Sequence, residues 1–192
     1  MAAHKYWRLT TSATSNGSVG VGNPTNEWGE LGFSTTVGGS IIAGSTNETN
    51  TATSITLNQA DASPSRPLSN LTDQNYNGNP SGPVFATVTF LPQIITVQFA
   101  TGKDFVEYGL QVRGNYLFSG ITWLLESSLD GVNYITRDSR TGFNWAPFLV
   151  NQYADKAFPI PPLHSINIPR SLYRAHTPLK VNGNANFRRQ GI

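Results

Sequence analysis

Glu126, Asp130 and Asp138 fall close together in the chain, and two carboxyl groups flanking a bond are what glycoside cleavage requires. Their local context argues for other duties. Asp130-Gly131 reads as a hairpin turn, because glycine tolerates the positive φ that a tight turn demands. Asp138 stands at a strand end, where Arg137 or Arg140 is its expected partner. The histidines are His4, His164 and His176, and none lies beside a carboxylate at the spacing of a base and its orienting group. The chain has no Cys, which removes thiolate nucleophiles, thiolate metal sites and disulfides. No G-x-S-x-G elbow occurs either. No catalytic residue is assigned, and a stand-alone hydrolase is the weakest functional reading. Calcium is the one cofactor to consider. Asp61 and Asp73 lie in a long loop region, but the dense D-x-D pattern of a hard-cation site is missing, so no metal ligand is assigned.

Sugar binding needs an aromatic face and a few planar polar groups in a concave site. Trp28 follows Asn26-Glu27, Tyr76 stands between Asn75 and Asn77, and Trp145 follows Asn144. Trp28, Asp73, Asn75, Tyr76, Asn144 and Trp145 are therefore the candidate glycan residues. The competing reading makes the three aromatics core caps or subunit contacts. Trp7 and Trp123 fall on strands and are assigned to the core. The loops around Trp28, Tyr76 and Trp145 are expected to be more exposed.

Strands must position these groups. Lys5 to Thr11 puts Tyr6, Arg8 and Thr10 on one side and Trp7 and Leu9 on the other. Glu30 to Thr35 is a weaker second strand. From Val37 to Pro83 the chain is poor in apolar residues, with Ile41-Ile42 and Ile55 to Leu57 as expected anchors. Alternation resumes over Val84–Phe90, Ile95–Phe99 and Val106–Val112, each with one core face. Thr122 to Glu126 and Tyr134 to Asp138 form a hairpin around Asp130-Gly131. No convincing helical period runs longer than a turn or two. Short strands between polar turns predict an all-β, antiparallel β-sandwich.

The 192 residues divide into a sandwich over 1–162 and an extended basic arm over 163–192, marked by Pro159, Pro161, Pro162 and Pro169. Charge divides there too. Up to Asp155, seven Lys and Arg stand against all eleven Asp and Glu, a balance of −4; the remaining six basic residues follow with no acid, giving a net +2. Arg170, Arg174, Lys180, Arg188 and Arg189, with Tyr173, are the candidate subunit-contact residues of the arm. Nucleic acid is disfavoured as a partner, because the basic residues are neither clustered nor interleaved with aromatics. The opening residues lack the apolar core of a signal peptide, and no apolar run is long enough to span a membrane. Synthesis in a cytoplasm without secretion is the expectation.

Three segments together carry a family resemblance: HKYWRL, ELGFSTTVGGS, and the run from Val84 to Trp145 with Ser128, Asp130, Gly131 and Tyr134 in an S-x-D-G-x-x-aromatic hairpin. They resemble the discoidin or coagulation-factor-C-type domain of the galactose-binding-like jelly-roll group, over about residues 4–160. The middle loop, Asn70 to Gly78, matches the family's pattern poorly. The family commonly closes on a Tyr-Arg-Tyr-like strand, whereas this chain runs into prolines, so the last strand is either Tyr153 to Ile160 or remodelled into the arm. A Tyr-Trp-Arg strand at the start and an arm at the end are similar to tailed-bacteriophage virion proteins. That resemblance implies a non-enzymatic structural or attachment protein of a virion (tail, baseplate, fibre or head decoration). It would be a homo-oligomer that binds other virion proteins and cell-surface glycan. The alternative is a free-standing carbohydrate-binding module.

Overall fold

The computed structural model describes residues 3–15, 26–41, 47–58, 68–72, 85–87, 91–113, 120–150 and 153–163. All of the expected arm beyond Leu163 therefore lies outside the described residues, as do Asp61, Asp73, Asn75, Tyr76, His164 and His176.

The described residues form an antiparallel β-sandwich. One sheet joins five strands: β1 (His4–Thr14), β4 (Ala52–Leu57), β6 (Gln93–Lys103), β8 (Gly120–Ser128) and β9 (Ile135–Arg140), in the order β4-β6-β1-β8-β9. The facing sheet joins β3 (Glu30–Ser34), β7 (Glu107–Arg113), β10 (Leu149–Val150) and β11 (Tyr153–Pro159), in the order β10-β11-β7-β3. A two-stranded ribbon pairs β2 (Asn26–Trp28) with β5 (Phe85–Thr87).

Alternation decides which side chains enter the core. Trp7 and Leu9 of β1, Ile95, Val97 and Phe99 of β6, and Trp123 and Leu125 of β8 are buried against Leu31, Phe33, Tyr108, Leu110, Val112 and Phe158 of the other sheet. Rings interlock across the gap: Trp7 and Phe33 have centroids 5.5 Å apart, and Trp123 and Phe158 5.4 Å. A polar link also crosses it. The Tyr108 hydroxyl donates to Asp138 Oδ2 at 2.7 Å and accepts from Trp123 Nε1 at 2.8 Å. Burial, and then the Asp138 carboxylate, push the Tyr108 hydroxyl well above the usual phenol range, so it remains a donor.

The second face of β7 is covered as well. Glu107 and Gln111, on the face away from the core, are both buried. Residues 36–41 and 47–51 are the main reason for Glu107. Their turn closes over β3 and β7, where Gly32 and Gly109 leave room for the Ser40 carbonyl; a Cβ at either glycine would collide with it. Glu107 clamps this segment by accepting from Gly38 N at 2.9 Å, Ser40 N at 3.1 Å and Ser40 Oγ at 2.6 Å. Asn47 Nδ2 donates to the Ser40 carbonyl at 3.2 Å. Thr49 Oγ1 then accepts from Phe33 N at 2.8 Å and covers part of the free edge of β3. The region poor in apolar residues therefore does packing work through hydrogen bonds. It also holds β4, which the sequence marked only through Ile55 to Leu57.

Candidate functional site

The structure overturns the expected exposure of two tryptophans. Trp28 is 0% exposed and Trp145 is 1% exposed, no more open than Trp7 and Trp123. The two candidates do meet, with ring centroids 6.1 Å apart, but inside the sandwich. Trp123 stacks on Trp145 at 5.9 Å and meets the edge of Trp28 at 5.9 Å. Gly120 makes this possible, since a Cβ there would strike the Trp28 ring. The Trp145 indole N–H is spent on the Gly120 carbonyl at 2.9 Å. Neither ring offers a face to a sugar. Asn144 is exposed, and its Oδ1 accepts from Ala146 N at 3.0 Å, opening the 3-10 turn Ala146–Phe148. Asp73, Asn75 and Tyr76 lie outside the described residues, so this candidate set is not assembled among them.

The three hairpin carboxylates are not brought together as a pair. Glu126 is bridged to Arg8 at 2.8 Å, and that guanidinium lies 3.7 Å above the Tyr134 ring. Asp138 shares the core side of its strand with its partner Leu125, and binds Arg140 Nε at 2.8 Å. Glu126 and Asp138 therefore point to opposite faces of the sheet. Of the two expected arginine partners, the structure selects Arg140. Asp130 serves its own turn: Oδ1 accepts from Val132 N at 2.9 Å and Asn133 N at 2.8 Å, and Oδ2 from Asn133 Nδ2 at 2.8 Å. Ser128 Oγ adds a bond to Oδ1 at 2.8 Å and accepts from Gly131 N at 3.0 Å. These bonds, led by the backbone amides, hold the Asp130 carboxyl well below the usual carboxylate range. Gly131, at φ 78°, completes the turn.

Arg137, freed from Asp138, turns inward to a cluster whose members stand far apart in sequence. His4, Ser127 and Arg137 are all buried. Arg137 Nη1 donates to Ser127 Oγ at 3.2 Å, and His4 Nδ1 lies 2.5 Å from the same oxygen. Arg137 donates to the serine oxygen, and the proton between that oxygen and Nδ1 is supplied by the hydroxyl or by the imidazole according to the His4 tautomer. Arg137 Nη2 reaches the Pro161 carbonyl at 3.4 Å, and the guanidinium lies 5.1 Å from the Trp7 ring centroid. The cluster thus ties together the start of β1, the base of the β8–β9 hairpin and the chain beyond β11. A hydroxyl beside an imidazole is also the geometry of an activated nucleophile. Here Ser127 has no exposed surface, and the arginine occupies one of its lone pairs, which makes it a strut. Beside it opens a recess of about 150 Å³, lined by His4, Ser127, Ser128, Leu129, Asp130, Asn133 and Ile135.

His4 makes this corner acid-sensitive. Burial, and then the Arg137 charge, hold its imidazole below its ordinary value of 6.5, with exposed Asp104 pulling the other way. The unfolded chain therefore takes up the proton first. The contribution of His4 to stability is complete above about pH 6.5 and is lost as pH falls through the lower folded value. The urea midpoint is expected to fall between pH 7.5 and about pH 5, with a shallower fall in His4→Gln. Equal slopes in the two proteins would show that His4 is not the group responsible.

Among the described residues no group of three His, Asp or Glu is placed to hold a metal ion, and no helix is long and apolar enough to cross a membrane. Comparison with family models, with curated proteins and with solved structures finds no match to this chain.

Proposed function

We propose that this chain is a non-enzymatic structural or attachment protein. It works by binding neighbouring subunits in a particle of the tailed-bacteriophage kind that its sequence resembles, with the sandwich as a galactose-binding-like jelly roll. One observation carries the reading. Six large apolar residues are exposed among the described residues, and three of them, Leu129 at 57%, Val132 at 79% and Ile135 at 42%, surround the β8–β9 turn. Val106, at 37%, immediately precedes β7, and its carbonyl accepts from Ile160 N at 2.8 Å, next to the Pro161 held by Arg137. An apolar group on a turn already fixed by Asp130 loses little freedom when it is covered, which favours association.

The basic residues from Lys156 onward supply the second contact. The sandwich's own carboxylates are poor targets for most of them. Glu107 holds its clamp, and Glu48, Glu126 and Asp138 are bridged to Lys103, Arg8 and Arg140, whereas Asp104 and Asp130 are exposed and open to a cation from solvent. The carbohydrate-module alternative has lost both tryptophans from the surface, and no observation favours it over assembly.

Deleting residues 165–192 tests the reading. The shortened chain is expected to unfold cooperatively and to lose the larger mass of the full-length protein in light scattering. A shortened chain that keeps the full-length mass would assign assembly to the sandwich alone, and the arm would have no part in it.

A further inference from the structure

We propose that the apolar end of the sandwich is the docking site for residues Arg170–Arg174 of a neighbouring copy, with Leu172 and Tyr173 on the apolar surface and the two arginines on flanking carboxylates. The inference rests on the assembly reading above and names the contact that would produce it.

The surface has two parts. The recess of about 150 Å³ beside the hairpin has walls from Leu129 and Ile135, and its polar lining is largely engaged. Ser127 Oγ is bonded to His4 and Arg137, Ser128 Oγ to Asp130, and the Asn133 amide to Asp130. Such a recess suits one apolar side chain of Leu or Tyr size, the usual form of an anchoring contact. Exposed Val132 stands on the same turn, between the lining residues Asp130 and Asn133. The second part is charge. Asp130 and Asp104 are both exposed at this end. The charge of Asp104 reaches both His4 and Arg137, and Asp130 lines the recess itself.

The occupant follows from the sequence. Beyond Lys156 every charged side chain is basic, and Leu172-Tyr173 is the one apolar pair there with an arginine on both sides, in Arg-Ser-Leu-Tyr-Arg. An apolar pair bracketed by cations is the complement of an apolar recess bracketed by carboxylates. The C-terminal segment also leaves the sandwich at this end, because Arg137 holds the Pro161 carbonyl there. In an assembly, the segment of one copy therefore starts beside the same type of surface that it meets on the next copy.

The absence of cysteine makes the test clean. Two full-length variants, Val132→Cys and Tyr173→Cys, are mixed under mild oxidation, and the mixed disulfide is compared with that from Val150→Cys and Tyr173→Cys. Val150 is an exposed valine, 69% against 79% for Val132, at the opposite end of the facing sheet. The mixed Val132–Tyr173 disulfide is expected to be the dominant product and the Val150 control to give little. Equal yields would overturn the docking site. So would a Val132→Cys/Tyr173→Cys double variant that closes only within one chain. Light scattering on the same samples separates the two claims: a multimer without the Val132-specific product removes this site but leaves assembly, whereas a monomer removes both.

Discussion

Replacing Trp145 with alanine is expected to destabilise the fold by about 3–5 kcal/mol, the cost of deleting a large aromatic side chain from a packed core. The ring is 1% exposed and contacts Trp28, Trp123, Phe143 and Phe158, with centroids 4.8–6.2 Å away. The change would also leave the Gly120 carbonyl without its indole donor. Trp145→Phe should recover part of the loss, since a smaller ring still fills some of the space. Urea unfolding of the three proteins measures this. Surface substitutions usually stay within about 0.5 kcal/mol. A loss that small in Trp145→Ala would put the ring back at the surface and reopen it as a sugar platform.

The second large effect is expected at Glu107. Its carboxylate is buried and accepts from two backbone N–H groups and one hydroxyl. Glu107→Ala removes the acceptor and leaves those donors to water or to nothing, at a cost of about 2–4 kcal/mol by the usual penalty for unsatisfied buried groups. The loss should be local as well as global. Amide protons of Gly38 and Ser40 should exchange faster than those of β1 and β6, because the clamped segment would open before the core does. Unchanged protection at Gly38 and Ser40 would mean that the packing of Ser40 over Gly32 and Gly109 is enough without the carboxylate.

The strands that the sequence made legible are those with one clean face. Trp7 and Leu9 on β1, Ile95, Val97 and Phe99 on β6, and the Asp130-Gly131 hairpin stand where alternation and turn chemistry put them. The ending resolves to a strand, Tyr153–Pro159, close to the first of the two alternatives. The errors share a physical origin, which is polar groups in buried places. Trp28 follows Asn26 and Glu27 and so reads as a loop residue, but it lies on a short strand and packs on Trp123, over a glycine more than ninety positions away. Glu107 and Gln111 alternate with the core residues of β7, and alternation alone leaves open whether their face meets solvent or a second layer; here it is covered. The His4–Ser127–Arg137 cluster joins residues 123 positions apart, and no spacing rule can find it. Arg137 looked like a surface partner for Asp138. Asp138 faces Tyr108 and Arg140, and the register shift beside it, where β9 carries Arg137 as an extra residue against β8, lets Arg137 turn inward as well, to Ser127. Trp28 and Trp145 have polar neighbours in sequence, and those neighbours do not predict exposure, whereas Asn144 is exposed as expected.

Assembly is the central claim, and the solution mass of the full-length chain, followed by light scattering over a rising concentration series, tests it most directly. A defined multimer of the 20.8 kDa chain is the expected result, with the Val132 end and residues 170–174 as the contact. A mass that stays at 20.8 kDa throughout the series would contradict self-assembly through this surface.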